Sequence, residues 1–62
     1  METTTLFTKM KNLWDTFEEN HNVFTSKGNK AAATRARKAV GEIKKLVTAY
    51  RKASVTESKR TV

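Results

Sequence analysis

The sequence predicts an all-α fold, in which two long helices form an antiparallel hairpin. Apolar residues recur every three or four positions through two segments, as they do along the buried face of an α-helix. No proline interrupts either segment, and the one clear break between them is short enough for a helical hairpin. We therefore predict a single module over 1–62, with helix one at about 4–24, a turn at 25–29, helix two at about 30–55 and a frayed polar tail at 56–62.

Helix one is predicted from an apolar stripe that contains most of the large side chains. Its members follow a spacing of 4, 3, 4 and 7 and are Leu6, Met10, Leu13, Phe17 and Phe24. Asn20 occupies the position that the stripe skips. Phe7, Trp14 and His21 lie seven residues apart and widen the apolar face. Thr3, Thr4 and Thr5 are expected to form the N-cap region of this helix.

The turn is predicted from Gly28 and Asn29. Glycine readily adopts the left-handed conformation that ends a helix, and asparagine is a good N-cap for the next one. Helix two then has a stripe at Ala36, Val40, Ile43, Val47 and Tyr50, flanked by Ala32, Ala33, Ala39, Leu46 and Ala53. Because its first half has small alanines, we expect this half to pack closely against a bulky aromatic surface.

The size of the chain predicts association with a second copy. A chain of 62 residues is close to the lower limit for an independent core, and it has no cysteine for a disulfide or a thiolate metal site. Two hairpins that pair into a dimeric four-helix bundle would cover both stripes. The residues predicted for this core and dimer interface are Leu6, Met10, Leu13, Trp14, Phe17, Phe24, Val40, Ile43, Val47 and Tyr50.

The charge is strongly positive and unevenly distributed. The formal net charge is +7, with a net charge of −2 over residues 1–25 and of +9 over residues 26–62. Such a balance favours a polyanionic partner, with nucleic acid first and an anionic membrane surface second. The sequence has no apolar run long enough to span a membrane and no signal-peptide pattern at its start. We therefore expect a cytoplasmic, nucleoid-associated protein without a membrane partner.

Basic residues in helix two occur as doublets at intervals of seven, with Lys30 before them and Lys59-Arg60 after them, one residue out of register. Seven residues are nearly two helical turns, so the doublets stack on one outward face. The only i,i+4 acid–base pair expected in this helix is Lys38–Glu42, and an almost single-sign surface favours a counter-charged partner. The predicted nucleic-acid-binding residues are Lys30, Arg37, Lys38, Lys44, Lys45, Arg51 and Lys52.

This face has no asparagine or glutamine to read base edges, which predicts phosphate contact without sequence preference. Duplex DNA is favoured and RNA is possible. The alternative is an interaction module that binds RNA or an acidic protein through the same face.

Catalysis is not predicted. The single histidine, His21, has no nucleophile or acid placed beside it by the sequence. The carboxylates of Asp15, Glu18 and Glu19 are interpreted as part of a solvated surface. We expect no enzyme activity, no cofactor, no metal and no small-molecule substrate.

Two motifs resemble the bacterial linker-histone-like family, which is known from chlamydial histone-like proteins. They are the opening of helix two, residues 28–39, and the later Tyr50-Arg51-Lys52-Ala53-Ser54. The resemblance implies a helical module with non-specific DNA binding in nucleoid organisation. It places Lys30, Arg35, Arg37, Arg51 and Lys52 on motif positions. Arg35 lies on the opposite flank of the stripe from the doublets, where we expect either a structural role or a place at a subunit seam. The chlamydial proteins continue into a long lysine-rich segment. Because this sequence stops at Val62, we expect helix two and oligomerisation to provide the DNA binding here.

Overall fold

The computed structural model describes residues 1–60 and shows two α-helices that pack as an antiparallel hairpin. Helix α1 spans Glu2–Lys27 and α2 spans Lys30–Arg60, and the described residues contain no strand. The predicted all-α hairpin is therefore confirmed. Both helices are longer than predicted, and only Gly28 and Asn29 separate them. Residues 56–60, where the sequence predicted a frayed tail, continue α2, and the rest of that tail lies outside the described residues.

The turn has the chemistry that its two residues predict. Gly28 adopts the left-handed conformation, with φ 65° and ψ 26°, and its amide donates to the carbonyl oxygen of Phe24 at 2.8 Å. The side-chain oxygen of Asn29 accepts a hydrogen bond from the amide of Ala32 at 3.1 Å. These bonds satisfy groups that the two helix ends would otherwise leave unpaired.

The end of α2 is ordered by a contact with the beginning of α1. The Thr3 amide donates to Glu57 Oε2 at 2.9 Å, and the Thr3 hydroxyl donates to Glu57 Oε1 at 2.7 Å. The predicted N-cap region at Thr3, Thr4 and Thr5 is therefore corrected. The helix begins earlier, its N-cap is Met1 without a side-chain cap, and a carboxylate from α2 satisfies an exposed amide of the first turn.

The row of α2 that contacts α1 consists mainly of alanines. Ala32, Ala36, Ala39 and Ala53 are buried, and Ile43 and Leu46 continue the row as half-buried residues. The row that contacts α1 is therefore displaced around α2 from the predicted stripe by about half the width of that stripe, since Val40, Val47 and Tyr50 are 43%, 39% and 38% exposed. Small side chains at the contact let the helices approach closely, which explains why the alanines rather than the valines face α1.

The predicted core residues of α1 are also split between residues that contact α2 and residues that remain exposed. Leu6 is buried, and Met10, Leu13 and Phe17 are half-buried. Trp14 and Phe24 remain 52% and 41% exposed. The hairpin alone therefore covers only part of the residues that the sequence assigned to a core or dimer interface.

A polar pair interrupts the apolar contact between the helices. Arg35 Nε donates to Asn20 Oδ1 at 2.8 Å, and Asn20 Nδ2 donates to the Thr16 carbonyl oxygen at 2.8 Å. Asn20 is the residue that stood at the skipped position of the helix-one stripe. The contact joins the two helices, and it shows which of their residues lie at the same level.

The hairpin is thin and exposes much surface. Its principal extents are 50 × 14 × 12 Å, and its accessible surface is 4992 Å², whereas a compact monomer of 7.0 kDa would expose about 4,000 Å². No large side chain of the described residues is fully buried. Neither of the described helices is long and apolar enough to cross a membrane.

Candidate nucleic-acid interface

All seven predicted binding residues lie on one surface of α2. Because the buried row of α2 points toward α1, the helical period places the doublets on the opposite side, directed at solvent. Each of these residues is exposed. We call this surface the basic face, and it consists of Lys30, Arg37, Lys38, Lys44, Lys45, Arg51 and Lys52.

The basic face is almost free of neutralising partners. Among the described residues, the one ion pair joins Lys45 Nζ to Glu42 Oε1 at 3.9 Å, so Glu42 pairs with Lys45 rather than with the predicted Lys38. Arg37 donates from Nη2 to the Thr34 hydroxyl at 3.2 Å, which orients its guanidinium without neutralising it. The cations on this face therefore repel one another and favour an anionic partner.

One further residue extends the basic face, and the sequence analysis did not include it. Lys59 lies within α2, seven residues after Lys52 and in line with Lys38 and Lys45. It was set aside because the tail was expected to fray and because the Lys59-Arg60 doublet is one residue out of register. The signal that would have identified it is the repeat of single lysines at intervals of seven. The rise of an α-helix gives the row from Lys38 to Lys59 a length of about 31 Å.

The charge differs sharply between the two helices. Helix α1 has four carboxylates and three basic residues, whereas α2 has two carboxylates and ten basic residues. Because α2 directs its doublets away from α1, the positive potential is concentrated on one side of the hairpin. The opposite side, formed by α1, is close to neutral.

A lateral side of the hairpin is apolar and uncovered. Phe7, Met10 and Trp14 line a groove of about 310 Å³ with Lys11 and with Ile43 of α2. The ring centroids of Trp14 and Phe17 are 5.2 Å apart, and those of Phe17 and His21 are 5.9 Å apart.

On α2, Val40 and Val47 lie beyond Ile43, on the side away from the buried Ala39, and so they enlarge the same surface. We call this surface the apolar face, and it consists of Phe7, Met10, Trp14, Phe17, Val40, Ile43, Val47 and Tyr50.

The other lateral side has a groove lined by Leu13 and Ala39 together with Thr16, Arg35, Lys38 and Glu42. Its charged and hydroxyl groups are the kind of surface that water solvates well. The two sides of the hairpin therefore differ, because the exposed aromatic rings of Phe7 and Trp14 lie on the first side.

The remaining candidate groups are accounted for within the structure. His21 is exposed and packs its ring against Phe17. Among the residues that the structure describes, no three histidine, cysteine, aspartate or glutamate side chains are grouped so that they would hold a metal ion. Asp15, Glu18 and Glu19 are exposed on α1, as predicted.

A protein-family model described as histone H1-like protein Hc1 matches residues 4–60, a range that includes nearly all of both helices. No curated protein and no solved structure matches the chain.

Proposed function

Since the chain belongs to the histone H1-like Hc1 family, we propose that it is an architectural, nucleoid-associated protein that binds DNA phosphates through the basic face without reading base sequence. The observation that carries the proposal is the repeat of basic doublets on the side of α2 opposite α1. Six of the seven residues of this face have no carboxylate within ion-pair distance among the described residues.

The dimensions of the basic face suit a duplex. Successive doublets are about 10.5 Å apart along α2. The row from Lys38 to Lys59 is about 31 Å long, and one turn of duplex DNA is about 34 Å. A straight helix against a curved phosphate backbone contacts only part of that backbone. We therefore propose four to six neutralised phosphates for each chain.

The residue types on the basic face and the presence of only two helices favour phosphate contact over base readout. Asparagine and glutamine read adenine through paired hydrogen bonds, and the basic face has neither. The asparagines of the chain lie in α1 and in the turn, away from this face. Lysine supplies most of the cations, and it binds phosphate as a point charge rather than by a planar pattern.

We further propose that the functional unit is a homodimer. The apolar face is exposed in the single hairpin, and the accessible surface exceeds by about a quarter that of a compact monomer of this mass. Contiguous apolar surface of this kind marks an interaction site in small proteins. A second hairpin on the apolar face would supply the core that one chain lacks.

The test is the affinity for two duplexes of equal length and unrelated sequence, measured at several salt concentrations. The proposal predicts equal affinities and a slope of log K against log salt of roughly −4 to −5 for each chain. A slope near zero would exclude phosphate binding. A preference of roughly a hundredfold for one sequence would show base readout. Stronger binding to duplex RNA or to an acidic polypeptide than to DNA would favour the alternative function.

A further inference from the structure

We propose that two chains join through their apolar faces with α1 of each chain against α2 of the other, so that the two basic faces point in opposite directions and bridge two DNA duplexes. The bridging part of this inference rests on the proposed function, because it requires that the basic face binds phosphate.

The occupant of the apolar face is a second copy of the same face. Phe7, Trp14 and Val47 are 59%, 52% and 39% exposed on it, and the hairpin itself buries only one large apolar side chain, Leu6. A two-fold symmetric contact needs a surface that complements itself, and an apolar face meets that requirement. The apolar face can pair with its own copy in two arrangements, and the charges at its rims decide between them.

The two rims of the apolar face differ in charge. Along α2 the rim has Lys30, Arg37, Lys44 and Arg51, at intervals of seven, with a net charge of +4. Along α1 the corresponding rim has Thr4, Lys11, Glu18 and Thr25, with a net charge of zero. Each rim lies next to the apolar residues of its own helix, so it borders the partner helix in the dimer. The four cations of the α2 rim also belong to the basic face, and their long side chains reach solvent on its outward side.

Two arrangements stack one apolar face on another with all neighbouring helices antiparallel. If α2 lies on the α2 of the partner, two rows of four cations meet along one seam and repel each other. If α1 lies on the α2 of the partner, each seam joins a neutral row to a row of cations. The second arrangement brings the same two apolar faces together and avoids the repulsion, and it is therefore the one adopted.

This arrangement determines where the basic faces point. The two α2 helices occupy diagonal corners of the four-helix bundle. Each basic face is directed away from its own α1, so the two faces lie on opposite sides of the dimer. One duplex is too small to contact both sides, and the dimer therefore joins two duplexes. The rejected arrangement would place both faces on one side, against a single duplex.

The first experiment measures capture of a labelled duplex by a second duplex immobilised on beads, with duplexes of unrelated sequence. The variant Val47→Gln places a polar amide in the apolar face, and Val55→Gln makes the same change on the outward side of α2, where Val55 is 56% exposed. We expect Val47→Gln to lower capture roughly tenfold or more and to leave the salt slope for each chain unchanged. Val55→Gln should capture as the parent does. If Val47→Gln also captures normally, or if the parent binds one duplex and captures no second, bridging is overturned.

The second experiment tests the arrangement without DNA and does not depend on Val47→Gln folding. The Asn20–Arg35 contact shows that Glu18 and Arg37 lie at the same level of the hairpin, and a two-fold axis parallel to the helices preserves that level. Since the chain has no cysteine, single cysteines can be placed on the two rims. We expect a short thiol-specific cross-linker to join Glu18→Cys to Arg37→Cys when the two variants are mixed, and to join neither variant to itself.

A contrary result is equally clear. Lys44 lies near the middle of α2, so in the rejected arrangement it would meet its own copy. Efficient cross-linking of Lys44→Cys to itself, with no product from the mixture, would overturn the arrangement whether or not the protein binds DNA. A salt slope near zero for the parent would instead overturn the proposed function, and bridging with it.

Discussion

Glu57 and Thr3, 54 residues apart in the sequence, form two hydrogen bonds that join the end of α2 to the start of α1. One carboxylate binds both the amide and the hydroxyl of a residue in the first helical turn. The contact closes the open end of the hairpin, opposite the turn at Gly28, so both ends of the helix pair are held.

The Thr3–Glu57 contact predicts energetic coupling between the two residues. In a double-mutant cycle of Thr3→Ala and Glu57→Ala, measured by urea unfolding, we expect a coupling free energy of about 1 kcal/mol, because a charge-assisted hydrogen bond is lost in either single variant. Glu42→Ala is the control. Its exposed pair with Lys45 is 3.9 Å long, so the change should have little effect on stability. Additive effects of Thr3→Ala and Glu57→Ala would show that the hydroxyl–carboxylate bond does not stabilise the hairpin. The bond from the Thr3 amide is retained in Thr3→Ala, so Glu57→Ala alone reports its loss.

The two glycines predict opposite effects of the same substitution. Gly41 lies within α2, and a methyl group added there meets no atom within 4 Å. Gly41→Ala should raise the free energy of unfolding by about 0.5–1 kcal/mol, since alanine is the better helix former. Gly28→Ala should lower it, because Gly28 has a φ of 65° that alanine adopts with strain. Thermal melting of both variants checks the pair, and destabilisation by Gly41→Ala would mean that a partner packs closely there.

Trp14 predicts a spectroscopic signal of dimer formation. It is the only tryptophan and lies on the apolar face, 52% exposed in a single hairpin. On association it should be buried, so its emission should move to shorter wavelength as the protein concentration rises, together with an increase in the melting temperature. Val47→Gln should keep the emission at the long-wavelength position over the same range. A spectrum and a melting temperature that do not depend on concentration, with a single 7 kDa species in sedimentation, would contradict the dimer.

Lys59 predicts that the end of α2 takes part in binding. Lys59→Gln should reduce the salt slope by about one for each chain, as expected for the loss of one phosphate contact. Lys27→Gln, at the end of α1, is the matched control and should leave the slope unchanged. Equal effects of the two substitutions would mean that the slope reports overall charge rather than a defined face.

The sequence was sufficient for the features that depend on local chemistry. The turn follows from the left-handed preference of Gly28 and the capping oxygen of Asn29, and the spacing of the doublets follows from the helical period. The orientation of α2 about its own axis, which decides the residues that face α1, was not predictable in the same way. Ala39 and Val40 are adjacent, and hydrophobicity favoured the valine as the contact residue. The closer helix approach that alanine allows is a property of the pair of helices, which a stripe on one helix does not show.

The C-terminal end of α2 was also not predictable from local sequence, because it takes part in a long-range contact. Residues 56–60 are polar and have no apolar stripe, so local criteria predicted a frayed tail. Residues 56–60 are helical, and Glu57 among them binds Thr3 in a contact that exists only once the hairpin has formed. Lys59 was set aside as a consequence, since its place on the basic face requires that α2 continue to its level.

If the basic face of α2 binds phosphates, the salt dependence of duplex binding should change with the charge of this face, and two paired variants measure that change. Replacing Lys44 and Lys45 with Gln should reduce the slope of log K against log salt by about one to two for each chain, equally for AT-rich and GC-rich duplexes and with the helix content unchanged. Replacing Lys9 and Lys11 of α1 with Gln removes the same charge and should change the slope much less. A slope that survives the α2 changes and falls with the α1 changes would place the binding site on the other helix and contradict the account.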